Sequence, residues 1–139
     1  AMFVAYESPV QMFSGIPSDA YPEIGFTTYL ASLPTTWDDI RVLDAKLGDY
    51  LVVARRKDND WYLAAMTDWT AREITVSLSF LADGKYRALS CEDGINAAKN
   101  ASDYQMGYRM IDNSGHLELK MAPGGGYVVK LIKLDDARP

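Results

Sequence analysis

The segment Arg72-Glu73-Ile74-Thr75-Val76-Ser77-Leu78-Ser79-Phe80 puts Ile74, Val76, Leu78 and Phe80 on one face of an extended chain, and Thr75, Ser77 and Ser79 on the other. Alternation with period two specifies a strand with one dry and one wet side. Such a strand has to pair with others over a shared core. The chain from residue 41 onward repeats the theme. Residues 41–47 read as a strand closed by Gly48-Asp49, and 50–56 as an apolar strand ending at Asp58-Asn59-Asp60. A further strand covers 61–67. Asp83-Gly84 predicts a hairpin leading into a strand over 85–91. Residues 93–103 form a polar loop. Strands over 108–111, 116–121 and 127–134 finish the chain, separated by Asn113-Ser114-Gly115 and Pro123-Gly124-Gly125-Gly126. About eight short strands with regular turns predict a mainly β fold, an antiparallel β-sandwich, with a closed barrel as the alternative.

A chain of 139 residues is long enough to bury one core without covalent staples. The net charge is −5 and the cations are scattered, apart from Arg55-Arg56-Lys57, which sits at a strand end where solvated charge is expected. Phosphate backbones and anionic lipids reward clustered cations, so neither nucleic acid nor membrane is an expected partner. No apolar run approaches the roughly 20 residues that span a bilayer. Cys91 is the only cysteine, which excludes an internal disulfide and a cysteine-based metal cage.

Residues 1–36 read differently from residues 37–139. Met2, Phe3, Val4, Tyr6, Val10, Met12 and Phe13 make an apolar segment broken at Ser8-Pro9. Ser18 to Glu23 reads as a loop leading into a helix over 23–33, which would bury Phe26, Tyr29, Leu30 and Leu33 and stop at Pro34. Two such pieces enclose no core alone. They have to lie on the β-domain, on another chain or on a further domain.

The chemistry-bearing residue types form no catalytic set. Asp58 and Asp60 lack the glycine and glutamate that a calcium loop needs at its sixth and twelfth positions, where Leu63 and Trp69 stand. Gly124-Gly125-Gly126 is followed by neither Lys-Ser/Thr nor a helix, so it reads as a turn rather than a phosphate cradle. His116 opens a two-sided strand and is expected to face solvent. Asp38-Asp39, Glu92-Asp93 and Asp135-Asp136 are sequence neighbours, which point to opposite faces of a strand and make poor acid/base pairs. No catalytic, cofactor-binding or metal-binding residue is assigned. The aromatic residues Trp37, Trp61, Tyr62 and Trp69 are the candidates for stacking on sugar rings, against core packing as the ordinary fate of large aromatics. Trp61 and Tyr62 are adjacent, so one is expected to point inward and the other outward.

Several strings taken together point to a family: Pro34-Thr35-Thr36-Trp37-Asp38-Asp39, Val42-Leu43-Asp44-Ala45-Lys46, Gly48-Asp49-Tyr50, Ala54-Arg55-Arg56, Trp61-Tyr62, Met66-Thr67-Asp68-Trp69-Thr70, Asp93-Gly94-Ile95-Asn96-Ala97 and Ala122-Pro123-Gly124-Gly125-Gly126. With these, essentially the whole chain resembles the C-terminal end of glycoside hydrolase family 97, bacterial α-glucosidases and α-galactosidases common in gut Bacteroidetes. The resemblance implies that residues 1–36 are the terminal segment of a catalytic (β/α)8 barrel. In that reading Glu7 to Met12 lie in its last strand region and 23–33 form its final helix. Residues 37–139 would be the C-terminal sandwich. The family's catalytic carboxyls and calcium-binding glutamates lie upstream, and no motif here matches them. The resemblance therefore implies a non-catalytic accessory domain, inactive alone, that supports barrel packing or oligomerisation. The alternative is a carbohydrate-binding module. It further implies calcium in the parent enzyme but no cofactor in this chain. The barrel is the implied partner, with self-association through the segment from Met2 to Leu33. A periplasmic or secreted parent is also implied.

Overall fold

Apolar residues at alternate positions, punctuated by Gly, Asn and Asp turns, set eight strands. The computed structural model describes residues 1–134. Three short helices, α1 (Met2–Ala5), α2 (Pro17–Ala20) and α3 (Ile24–Ala31), precede β1 (Asp39–Lys46), β2 (Tyr50–Lys57), β3 (Asp60–Thr67), β4 (Arg72–Ser77), β5 (Lys85–Asp93), β6 (Tyr104–Asp112), β7 (His116–Met121) and β8 (Gly126–Lys133). The strands form a six-stranded sheet in the order β1-β2-β3-β8-β5-β6 and a two-stranded sheet of β4 and β7. All pairings are antiparallel. The larger sheet is open, with β1 and β6 as its edges, so the sandwich is realised and the closed barrel is not.

The sandwich core lies between the sheets. Val52, Ala54, Trp61, Leu63 and Ala65 of β2 and β3 meet Val76, Leu117, Leu119 and Met121 of the smaller sheet, with Tyr127, Val129 and Leu131 from β8. The intervening positions of the same strands feed a second core on the opposite face. There Val53, Tyr62, Ala64 and Val128 are covered by Val4, Ala5, Tyr29 and Leu33 from the helical segment. This two-sided burial explains why β2, β3 and β8 read as continuous apolar runs, whereas β4 and β7 alternate. Each fully buried aliphatic or aromatic side chain contributes about 1.5–3 kcal/mol, so the middle strands bind both layers together.

Several expectations are corrected. The alternating strand ends at Ser77 rather than Phe80. The Ser77 hydroxyl accepts the Ser79 N–H at 3.2 Å, and the Leu81 N–H donates to the Leu78 carbonyl at 2.9 Å, so the backbone turns. Leu78 is nevertheless fully buried, and Phe80 meets Trp61 edge-on at 5.0 Å. Asp83-Gly84 is not a β4–β5 hairpin, because β4 pairs with β7 while β5 pairs with β6 and β8. Gly84, at φ 129°, instead helps carry the chain from one sheet to the other. β6 begins four residues earlier than expected, at Tyr104. Arg55 is only 4% exposed rather than solvated. Short α2 forms at the start of the expected loop, α3 is slightly shorter than expected, and residues 7–12 form no strand.

Candidate functional site

The helical segment and the sheet face beneath it concentrate the unusual features of this chain. Val4 and Ala5 of α1 seat on β2 and β3, and the Tyr29 hydroxyl of α3 donates to the Leu89 carbonyl of β5 at 3.1 Å. Burial raises the Tyr29 phenol well above its ordinary range, so it stays a neutral donor. Phe26 packs on Tyr104 with ring centroids 5.2 Å apart, and the Tyr104 hydroxyl donates to the Glu23 carboxylate. That bond to Glu23 pushes the phenol up to about 12. Between the segment and the sheet lies a cavity of about 560 Å³, lined among others by Met2, Phe13, Phe26, Cys91 and Tyr104. The Cys91 thiol is buried there, and burial raises its pKa, which disfavours the reactive thiolate.

Arg55 is the one strongly charged group within this layer among the described residues. Its Nη2 donates to the Ala5 carbonyl at 3.1 Å, at the C-terminal end of α1. Its guanidinium carbon stands 5.8 Å from the centroid of the Trp37 ring. Nε and Nη1 of Arg55 and Nε1 of Trp37 are buried without an acceptor among the described residues. Trp37 in turn meets Tyr62 edge-on at 5.2 Å. Arg55 thus ties the helical segment to the sheet through a charge-assisted bond, the stronger kind.

The glycine-rich turn before β8 has a structural cause. The Asp93 carboxylate, at the end of β5, accepts the N–H of Ala122 at 2.8 Å and of Gly126 at 3.1 Å. It occupies the space that a side chain at Gly125 would need. Trp69 lies over Gly124, which has φ +70°. No phosphate cradle is formed, since a carboxylate already takes these amides.

The four sugar-stacking candidates do not form a platform. Trp61 lies in the sandwich core and Tyr62 in the second core, both 4% exposed, so neither points outward. The expectation that one of them faces solvent fails because helices cover the second side of the sheet. Trp37 is half-buried against Tyr62 and Arg55. Only Trp69, at 86%, is open to solvent.

The acidic residues are likewise placed for structure. Asp38 accepts the Asp58 N–H at 2.7 Å and the Lys57 ammonium at 3.3 Å, and these bonds lower its pKa. Asp60 accepts the Lys133 N–H at 3.1 Å. Asp68 pairs with Arg72, which holds its carboxyl at about 2, and Arg72 also donates to the Asp49 carbonyl at 3.1 Å. His116 is exposed at the start of β7. Among the described residues no three His, Cys, Asp or Glu side chains converge as a metal site would require. Asp135-Asp136 lie outside the described residues. No helix among the described residues is long and apolar enough to cross a membrane.

The family model described as "Glycosyl-hydrolase 97 C-terminal, oligomerisation" matches residues 36–132. A retaining α-galactosidase of Bacteroides thetaiotaomicron is 43% identical over 131 residues, covering 94% of this chain and 20% of that protein. A glycoside hydrolase family 97 enzyme of Pseudoalteromonas sp. strain K8, solved with panose, superposes with a TM-score of 0.92 at 33% identity. That match covers 96% of this chain and 22% of the enzyme. A β-arabinopyranosidase structure superposes with a TM-score of 0.67 at 25% identity, over 88% of this chain and 19% of its own. The chain therefore spans about a fifth of the length of these relatives. Eight antiparallel strands among the described residues and a helical segment on one face agree with a match to the C-terminal part of larger enzymes. The chain belongs to glycoside hydrolase family 97, and its residues 36–132 are the family's C-terminal oligomerisation domain.

Proposed function

We propose that residues 1–36 are the terminal segment of a catalytic barrel, and that this chain closes and stabilises that barrel in a family 97 α-glycosidase. The observation that carries the reading is the second core. Val4, Ala5, Tyr29 and Leu33 bury against the sheet, while Tyr6, Ile16, Tyr21 and Ile24 leave apolar side chains exposed on the helical segment. Apolar area reburied against a barrel is worth about 25 cal/mol per Å². In the isolated chain the same exposed side chains favour self-association. The parent is an α-galactosidase or α-glucosidase, and the name of the Bacteroides relative, a retaining α-galactosidase, supports the first of these. Calcium, if bound by the parent, is held upstream, and the parent works in the periplasm or outside the cell. Cleavage of a glycoside needs two positioned carboxyls, and Asp38, Asp60, Asp68 and Asp93 are each engaged in structural bonds.

The test is an assay of the purified chain with nitrophenyl α-glucoside and α-galactoside in the presence of calcium, alongside mixing with the separately produced upstream region. The expected result is no turnover by the chain alone, and a rise in the thermal stability of the upstream region on mixing. Turnover by the chain alone, or an upstream sequence that encodes no barrel, overturns the reading.

A further inference from the structure

The six-stranded sheet ends in two edges, and only one is protected. β1 carries Asp39, Arg41, Asp44 and Lys46 among its eight residues, and its register breaks between Val42 and Asp44. Charges and bulges are the devices by which natural sheets stop another strand from adding to an edge. β6 lacks the bulge and carries half the charged residues of β1. It pairs with β5 without a register break from Tyr104 to Asp112, and its charges are confined to Arg109 and Asp112. No strand among the described residues pairs on its outer side. Met106, Tyr108 and Met110 alternate along it at 45%, 64% and 48% exposure, so an apolar row stands on one face of an open edge. The Tyr108 hydroxyl rests on Met110 Sδ at 3.6 Å.

We propose that β6 is the edge through which two copies of this chain associate, antiparallel about a twofold axis beside Tyr108, so that two six-stranded sheets become one. The proposal rests on the accessory-domain reading and gives its oligomerisation a surface. A twofold axis sets identical strands antiparallel and makes the contact self-complementary. With the axis at Tyr108, Met106 of one copy faces Met110 of the other, and Tyr108 faces its counterpart. The facing pairs are thioether on thioether and ring on ring, and the diagonal neighbours bring Met against Tyr108, a favourable contact. Nine residues at about 3.3 Å each give an edge of about 30 Å, whose outward N–H and C=O groups, those not bonded to β5, a partner strand can satisfy. A catalytic barrel presents helices on its outside, which cannot complete a sheet ladder. A second β6 can.

The test is sedimentation of the full 139-residue chain over micromolar concentrations, with variants on both edges. The wild type is expected to dimerise. Tyr108→Lys should raise the dissociation constant about tenfold or more, as loss of a central aromatic anchor does, whereas Val42→Lys on β1 should leave it unchanged. Under oxidation Tyr108→Cys should form a disulfide-linked dimer, Val42→Cys should not, and the wild type with its buried Cys91 serves as the blank. If Tyr108→Lys fails to fold by circular dichroism, the Tyr108→Cys cross-link decides. A dimer that ignores Tyr108→Lys and gives no cross-link overturns the proposal, as does one broken only by Val42→Lys. A chain that stays monomeric throughout also overturns it and assigns the Met106–Tyr108–Met110 row to the barrel. Of these outcomes only the wholly monomeric one reaches further, removing the self-association expected of the helical segment's exposed side chains; the barrel-closing reading stands or falls on the hydrolysis and mixing experiments.

Discussion

The Asp93 carboxylate occupies the place where a side chain at Gly125 would begin, and from there it receives the N–H groups of Ala122 and Gly126. The glycine and the acid are one device. Gly125→Ala drives a methyl group into the carboxylate and breaks both bonds. It should cost about 2–4 kcal/mol, combining overpacking with lost charge-assisted bonds. Asp93→Asn should cost about 1–3 kcal/mol. In the double variant the two losses should fall well short of their sum. Urea denaturation of the four proteins checks this.

Arg55 makes one bond to Ala5 and leaves two buried donors without partners among the described residues. An apolar residue of similar length removes the orphaned donors while keeping contact with Trp37. Arg55→Met should therefore stay within about 1 kcal/mol of wild type or exceed it. Hydrogen exchange at α1 should nevertheless speed up, because the tie to Ala5 is gone. A loss of several kcal/mol in Cm-derived stability would mean that the guanidinium is satisfied after all.

Asp68 is held at about 2 by its bond to Arg72, and Asp38 is lowered by the Asp58 N–H and Lys57. Both carboxyls have folded values below their unfolded ones. Their contribution is thus complete above the ordinary aspartate range, near pH 4, and disappears as pH falls towards 2. Stability should decline with acidification across that window, and Asp68→Asn should flatten the decline. Denaturation midpoints at pH 5, 3 and 2 provide the check.

Trp69 is the only sugar-stacking candidate with an open face, and one ring without neighbours makes a weak platform. Titration with maltooligosaccharides and galactosides to millimolar levels should leave tryptophan fluorescence without a saturable change. A saturable response that vanishes in Trp69→Ala would instead establish a carbohydrate site there.

Leu63 is wholly buried at the centre of β3, whereas Ile95 is almost wholly exposed in the loop after β5. Leu63→Ala should cost about 2–5 kcal/mol. Ile95→Ala should move stability by no more than about 0.5 kcal/mol. Chemical denaturation of both variants tests whether the sandwich core carries the fold.

What the sequence made legible follows from the range of each interaction. The alternation in β4 and the apolar runs of β2, β3 and β8 are local patterns, and they mapped directly onto one-sided and two-sided burial. Tyr62 and Arg55 escape a local reading because their cover comes from α1 and α3, which no local pattern in β2 or β3 announces. Gly125 reads locally as a turn residue, but the reason for it lies in a carboxylate more than thirty positions earlier, as the 33-residue separation of the Asp93–Gly126 bond shows. Asp83-Gly84 signals that the chain reverses and says nothing of which sheet it enters.

The middle strands are a party wall: Val52 and Leu63 belong to one room, Val53 and Tyr62 to the other. The sequence divides naturally near residue 36, where one kind of pattern gives way to another. The fold does not divide there. A fragment trimmed to begin at Trp37 would bring its sandwich intact and leave the second room's wall, Val53, Tyr62, Ala64 and Val128, stripped to water.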